Sequence, residues 1–191
     1  TREFDLKMAD GSKVHIKSIR FASMHEKEIG AIKYIITPIN KKVTVNLASC
    51  VDGDVKNADT NYDEVFWNRQ NVYADGSICC VTLRTNKTDF WVSSAINSHA
   101  FIGDSELECC STVDKLSACS VVDAEIEAGQ TLTLYKYFAV TTNRDYENNL
   151  VEQEALSSVK NAADKGFEEI YSNHVDTWAK IWLHSDIKII G

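Results

Sequence analysis

Glycine and proline are scarce, at eight and one of 191 residues, well under the ~12% of average usage. That scarcity excludes long flexible linkers. Apolar residues never run to the ~18 needed for a membrane-crossing helix. The opening Thr1-Arg2-Glu3-Phe4 carries neither an initiator Met nor a signal-peptide core, so the chain as given is expected to be soluble. Positive charge is also short, with 20 Lys and Arg against 28 Asp and Glu and a formal net charge of −8. The electrostatic attraction that dominates nucleic-acid binding is therefore missing, which argues against nucleic acid and anionic membrane as partners. No Ser-His-Asp order, phosphate loop or dinucleotide fingerprint occurs.

Six cysteines are present, Cys50, Cys79, Cys80, Cys109, Cys110 and Cys119. Neighbouring side chains of a strand point to opposite faces, so neither adjacent pair can share one metal or easily bridge within itself. No C-x-x-C spacing occurs and none of the five histidines completes a zinc pattern, so no metal is expected. A chain of this length buries roughly 70% of its unfolded surface and needs no covalent staple. Six thiols in such a chain point to free, small, buried hydrophobes in a reducing, cytoplasmic compartment. The single sequon Asn86-Lys87-Thr88 does not outweigh them.

From Val14 to Thr141 the hydrophobic period is two, in short runs rich in β-branched and aromatic residues. Val14–Lys17, Ile32–Ile36, Ile78–Thr85, Phe90–Ile96, Val121–Glu127 and Thr131–Val140 read as strands. Val43, Val45 and Leu47 alternate with Thr44, Asn46 and Ala48, the mark of a strand wet on one face. The class expected is mainly β, an antiparallel sandwich followed by two C-terminal helices. Val151, Ala155, Val159 and Ala162 form one helical stripe ending near Gly166, and Phe167, Ile170, Tyr171, Val175, Trp178 and Trp182 form a second. Both tryptophans of that second stripe are expected in the core. The final Asp186-Ile187-Lys188-Ile189-Ile190-Gly191 alternates and stops without a turn or cap, which reads as a piece of a longer protein.

The stretch Ala48–Trp67 is long, polar and punctuated by aromatic residues, a pattern that favours function over filler. Asp52, Asp54, Lys56, Ala58, Thr60 and Asp63 fall at calcium-loop spacing, but Lys56 puts a cation at a ligand position and Asn57 replaces the turn glycine. Asp52 and Asp54 are a carboxylate pair only on paper, because Asp-Gly-Asp is the composition of an ordinary hydrogen-bonded turn.

Leu47–Trp67, with its Asp-Gly-Asp-Val-Lys-Asn core and Asn61-Tyr62-Asp63-Glu64 continuation, resembles glycoside hydrolase family 65, which includes the maltose, kojibiose, nigerose and trehalose phosphorylases. Arg2–Lys7 and Arg20–Pro38 resemble the family's upstream strands, and Thr177–Trp182 with Ser185–Ile189 resembles its linker helix. The resemblance implies the later part of an N-terminal β-sandwich over 1–142, a sandwich whose first strands would precede Thr1. It implies a helical linker over 143–191 leading to an (α/α)6 barrel beyond the sequence. The implied parent reaction is inverting phosphorolysis of an α-glucosyl disaccharide to β-glucose 1-phosphate, with inorganic phosphate as co-substrate, no cofactor, and a homo-oligomeric enzyme. The catalytic acid and phosphate site would lie outside these residues. Asp52, Asp54, Asn57, Tyr62 and Trp67 would be a loop near the substrate. The alternatives are a stand-alone carbohydrate-binding module or part of a trehalase-type hydrolase of the same family.

Overall fold

The computed structural model describes residues 1–55 and 65–185. Their strands run β1 (Arg2–Lys7), β2 (Lys13–Ala22), β3 (Ile29–Pro38), β4 (Val43–Asp52), β5 (Trp67–Asp75), β6 (Ile78–Thr85), β7 (Trp91–Ile102), β8 (Ser105–Leu107), β9 (Cys110–Val113), β10 (Ser117–Ile126) and β11 (Leu132–Thr142). Two helices follow, α1 (Val151–Lys165) and α2 (Phe167–Ser185). The large sheet has the order β1-β2-β3-β11-β7-β6-β5, with β8 beside β7, and the small sheet has the order β4-β10-β9. The described pairings are antiparallel.

The small sheet covers one face of the large sheet and the helices cover the other, giving three layers. Val14, Ile16, Ile36, Ala124, Ile126 and Leu132 fill one part of the space between the sheets, and Val51, Cys79, Val81, Ile96 and Ala118 fill another. On the opposite face Ile29, Ala31, Cys80, Ala95, Tyr137 and Ala139 meet Ala155, Val159, Ala162, Phe167 and Ile170 of the helices. Central strands thus lose the simple alternation of a half-wet sheet, and Cys79 through Thr82 are buried in succession. Cys79 and Cys80 point into different layers, as strand geometry requires.

Helix α1 forms on the expected stripe, since its buried residues are Val151, Ala155, Val159 and Ala162. Two of the four are alanines, which lets the backbone lie close to the sheet. The helix ends at Gly166, whose φ of +78° only glycine adopts without strain, and whose N–H bonds back to the Ala162 and Ala163 carbonyls. Strand β4 is also as expected, with Val43, Val45 and Leu47 turned to the core and Thr44, Asn46 and Ala48 to water.

Two expectations are corrected. Cys50 and Cys119 are joined by a disulfide, because antiparallel pairing of β4 with β10 sets them directly opposite, with Cα atoms 4.0 Å apart. Of the six cysteines only Cys79, Cys80, Cys109 and Cys110 are free, so the premise of six thiols behind the reducing compartment does not hold. Trp178 and Trp182 are not core residues, being 36% and 55% exposed. Helix α2 buries only Phe167 and Ile170 in its first turns, and its later turns leave the sheet. No described helix is long and apolar enough to cross a membrane.

Strand β1 is an edge whose six residues are all exposed. It is clipped to β2 by His15, which sits 2.7 Å from Asp5 and 3.2 Å from Glu3, and by a Lys17–Glu3 ion pair at 3.2 Å. Between the sheets, Lys136 of β11 donates its ammonium to the Cys50 carbonyl at 2.9 Å. Burial lowers the pKa of this lysine.

Candidate functional site

The polar loop singled out by sequence leaves the small sheet at Asp52 and joins the large sheet at Trp67. Its near end is a hydrogen-bonded turn, with the Asp54 N–H donating to the Asp52 carboxylate at 2.9 Å. Gly53 donates to the Leu116 carbonyl at 2.8 Å. A Cβ at this glycine would meet Val81 Cγ1 at 2.9 Å and the Leu116 oxygen at 3.0 Å, so the backbone here requires the missing side chain. At the far end the Asn86 side-chain amide donates to the Val65 carbonyl, and its backbone N–H donates to the Phe66 carbonyl at 2.9 Å. Trp67 opens β5 opposite Thr85. Asp52 and Asp54 are therefore brought together as a turn, whereas Trp67 starts the edge strand of the other sheet. Asn57 and Tyr62 lie outside the described residues. No group of His, Cys, Asp and Glu able to hold a metal occurs among the described residues.

A second feature was not visible in sequence. Between the β5–β6–β7 end of the large sheet and α1 lies a cleft of about 680 Å³, lined by Gln70, Asn71, Thr82, Trp91, Glu152 and neighbouring residues of α1 and the segment before it. Trp91 is held at one wall. Its indole N–H donates to Asp89 at 3.0 Å, its backbone N–H donates to the Asn143 carboxamide at 3.1 Å, and the Arg84 guanidinium lies 5.8 Å from its ring centroid. Asp89 takes a φ of +50°, a left-handed conformation that aspartate tolerates better than most residues.

Glu152 is held at the floor. It accepts from the Asn71 carboxamide at 2.7 Å and from the Thr82 hydroxyl at 2.8 Å. Thr82 is hydrogen-bonded to Ser93 at 2.9 Å, and Ser93 to the Cys80 sulfur at 3.1 Å, so a buried relay of small polar groups stands behind the carboxylate. Burial pushes the Cys80 thiol up to about 11, which leaves it a neutral member of that relay and no nucleophile. The β5–β6 ladder skips a register between Arg69 and Asn71, and Gln70, the residue at that bulge, lines the cleft. Thr82 and Glu152 are 70 residues apart, and a Glu in the first turn of a helix carries no sign of a distant partner.

Comparison with known proteins gives a consistent picture. The family model described as glycosyl hydrolase family 65, N-terminal domain, matches residues 1–181. An alpha,alpha-trehalose phosphorylase of Thermoanaerobacter brockii is 25% identical over 95% of this chain and 24% of its own length. A maltose phosphorylase of Bacillus subtilis strain 168 is 27% identical over 93% of this chain and 23% of its own. The chain thus spans about a quarter of the curated relatives it matches. A solved structure assigned as a kojibiose phosphorylase from the human microbiome superposes with a TM-score of 0.80 at 16% identity, over 95% of this chain and 23% of that one, which shows a common fold. With its sandwich, its paired C-terminal helices and a family match across nearly its whole length, the chain belongs to glycosyl hydrolase family 65, as an N-terminal domain of that family.

Proposed function

We propose that this chain is the non-catalytic N-terminal portion of a disaccharide phosphorylase, with the sandwich over 1–142 and the linker from 143 onward. The observation that carries the reading is the family match over residues 1–181, together with relatives named as phosphorylases of trehalose and maltose. In the parent reaction inorganic phosphate attacks the anomeric carbon of an α-glucoside from the face opposite the leaving sugar. The glycosidic C–O bond breaks while one carboxylic acid protonates the departing oxygen. The products are β-glucose 1-phosphate and a free sugar. Phosphate is itself the nucleophile, so no basic carboxylate is required to activate water. The acid and the phosphate-binding groups belong to residues outside this chain, and no resident cofactor is needed.

The loop from Asp52 through Asp54, Asn57 and Tyr62 to Trp67 is the part of this domain proposed to approach the substrate, on the strength of its length and aromatic content. A homo-oligomeric parent is part of the same proposal. The test is an assay for glucose 1-phosphate with trehalose, maltose and kojibiose plus inorganic phosphate. The 191-residue chain should form none, while the complete enzyme should convert one of the three. Turnover by the isolated chain would overturn the assignment. In the complete enzyme Trp67→Ala should raise KM for the disaccharide, and unchanged kinetics in a stably folded variant would remove the loop from the substrate's surroundings.

A further inference from the structure

The cleft between α1 and the β5–β6–β7 end of the large sheet has a composition that selects its ligand. Metal ions are poorly served, since Glu152 is the one carboxylate among the lining residues, and inorganic anions would have to approach that carboxylate with only Lys160 to attract them. The remaining polar lining is neutral and bifunctional. Gln70, Asn71, Asn148, Asn149 and Gln153 each present a carboxamide able both to donate and to accept. Vicinal hydroxyls, which also donate and accept, are the natural complement of such groups. The indole of Trp91 at the wall supplies a flat apolar face against which the C–H face of a pyranose can lie. A volume of about 680 Å³ is within the range of small-ligand sites.

Two features show that the lining is set in advance of any ligand. Glu152 is fixed by Asn71 and Thr82, with Ser93 and Cys80 behind them, so the carboxylate is ordered and still has lone pairs to offer. Trp91 is fixed at its indole N–H by Asp89 and at its backbone by Asn143. The bulge in β5 adds the Gln70 side chain, whose residue has no partner in the β5–β6 ladder. Preorganised polar groups and a locked ring reduce the ordering cost of binding.

We propose that this cleft is a saccharide-docking site for a neutral gluco-oligosaccharide, with Trp91 as the stacking platform and Glu152, Asn71, Gln70 and Gln153 as hydroxyl partners. None of Asp52, Gly53, Asp54, Val65, Phe66 and Trp67 lines it, and it requires no catalytic group. The proposal therefore stands apart from the phosphorylase reading, and binding by the 191-residue chain is measured without any turnover.

The experiment is titration of the ¹⁵N-labelled 191-residue chain with maltotriose, followed by amide and indole chemical shifts and by calorimetry. The expected result is saturable binding with Kd on the order of 1 mM, with shifts concentrated at the Trp91 indole and the side-chain amides of Asn71, Gln70 and Gln153. Trp91→Ala should weaken binding about tenfold or more, Trp91→Phe should retain part of the affinity, and Trp182→Ala should change nothing. Should Trp91→Ala fail to fold, Gln153→Ala at an exposed helical position provides the second variant and should weaken binding severalfold. Absence of saturable shifts with maltotriose overturns the proposal, as does binding that maps elsewhere and is insensitive to Trp91 and Gln153. The same shifts produced by inorganic phosphate alone would mark an anion site and overturn it equally.

Discussion

His15 is flanked by two carboxylates from the neighbouring strand, and its hydrogen bond to Asp5, with the nearby charge of Glu3, raises its pKa above the ordinary 6.5. Glu3 is lowered, chiefly by its hydrogen bond from Lys17, so it stays ionised across the range in which His15 titrates. A raised folded-state pKa gives stabilisation that is fully present below the unfolded value and disappears as pH rises through the folded one. The edge strand β1 should therefore be held more firmly at pH about 6 than at about 8. Amide protection factors in β1 should fall over that interval while those in β7 stay constant, and the His15 ring-proton titration should have its midpoint above 6.5. A midpoint at or below that value would mean that the carboxylates do not clip the strand. Exposed ion pairs of this kind contribute little to global stability, so the effect is confined to the edge.

The two helices differ in what holds them. Every fourth or so residue of α1 is buried, whereas α2 is anchored by Phe167 and Ile170 and then carries a ladder of rings, His174, Trp178 and Trp182, with Trp178 and Trp182 stacked at 6.0 Å between centroids. Ile170→Ala should cost about 2–4 kcal/mol, because it opens a cavity beneath a fully packed side chain. Trp182→Ala should cost less, under about 1 kcal/mol in the isolated chain, because Trp182 is more than half exposed and its ring contact is to Trp178 of the same helix. Urea denaturation of the two variants checks the order, and equal losses would mean that α2 is packed along its whole length.

The same contrast explains what sequence can and cannot disclose about elements. A helical stripe is a local pattern, and Val151, Ala155, Val159 and Ala162 identified α1 and its glycine stop directly. Periodicity also identified the α2 stripe, but a stripe does not specify whether anything lies opposite it. Strand β5 escaped notice because Trp67–Asp75, at the sheet's edge, has mostly exposed residues and little alternation to report. The cleft residues were hidden for a related reason, since Asn71, Thr82, Trp91 and Glu152 come from four elements and converge only after the sheet and α1 are in place.

Across the whole molecule the disulfide closes a separation of 69 residues, from the small sheet through the edge of the large one and back. Constraint of an unfolded loop of that length is worth about 4 kcal/mol in the chain-entropy treatment, with measured losses for native disulfides of about 2–5. The double variant Cys50→Ala, Cys119→Ala should therefore unfold at lower urea concentration, with a free-energy loss of about 2–4 kcal/mol. Dithiothreitol should lower the midpoint of the unmutated chain and leave the variant untouched. Identical midpoints with and without reductant would show that the bridge contributes nothing. No spacing rule connects positions 50 and 119, because their apposition depends on which strands become neighbours in the small sheet.

Cys50 bears two attachments of different chemical kind, its sulfur to β10 within its own sheet and its carbonyl to the Lys136 ammonium of the facing sheet. For the layers to glide over one another at this point, a half-buried cation would have to give up its acceptor, while the covalent link keeps β4 from yielding independently of β10. Relative shear is thereby restrained close to where β4 ends and the polar loop departs, and is left freer at the outermost strand β1, whose one described strand partner is β2.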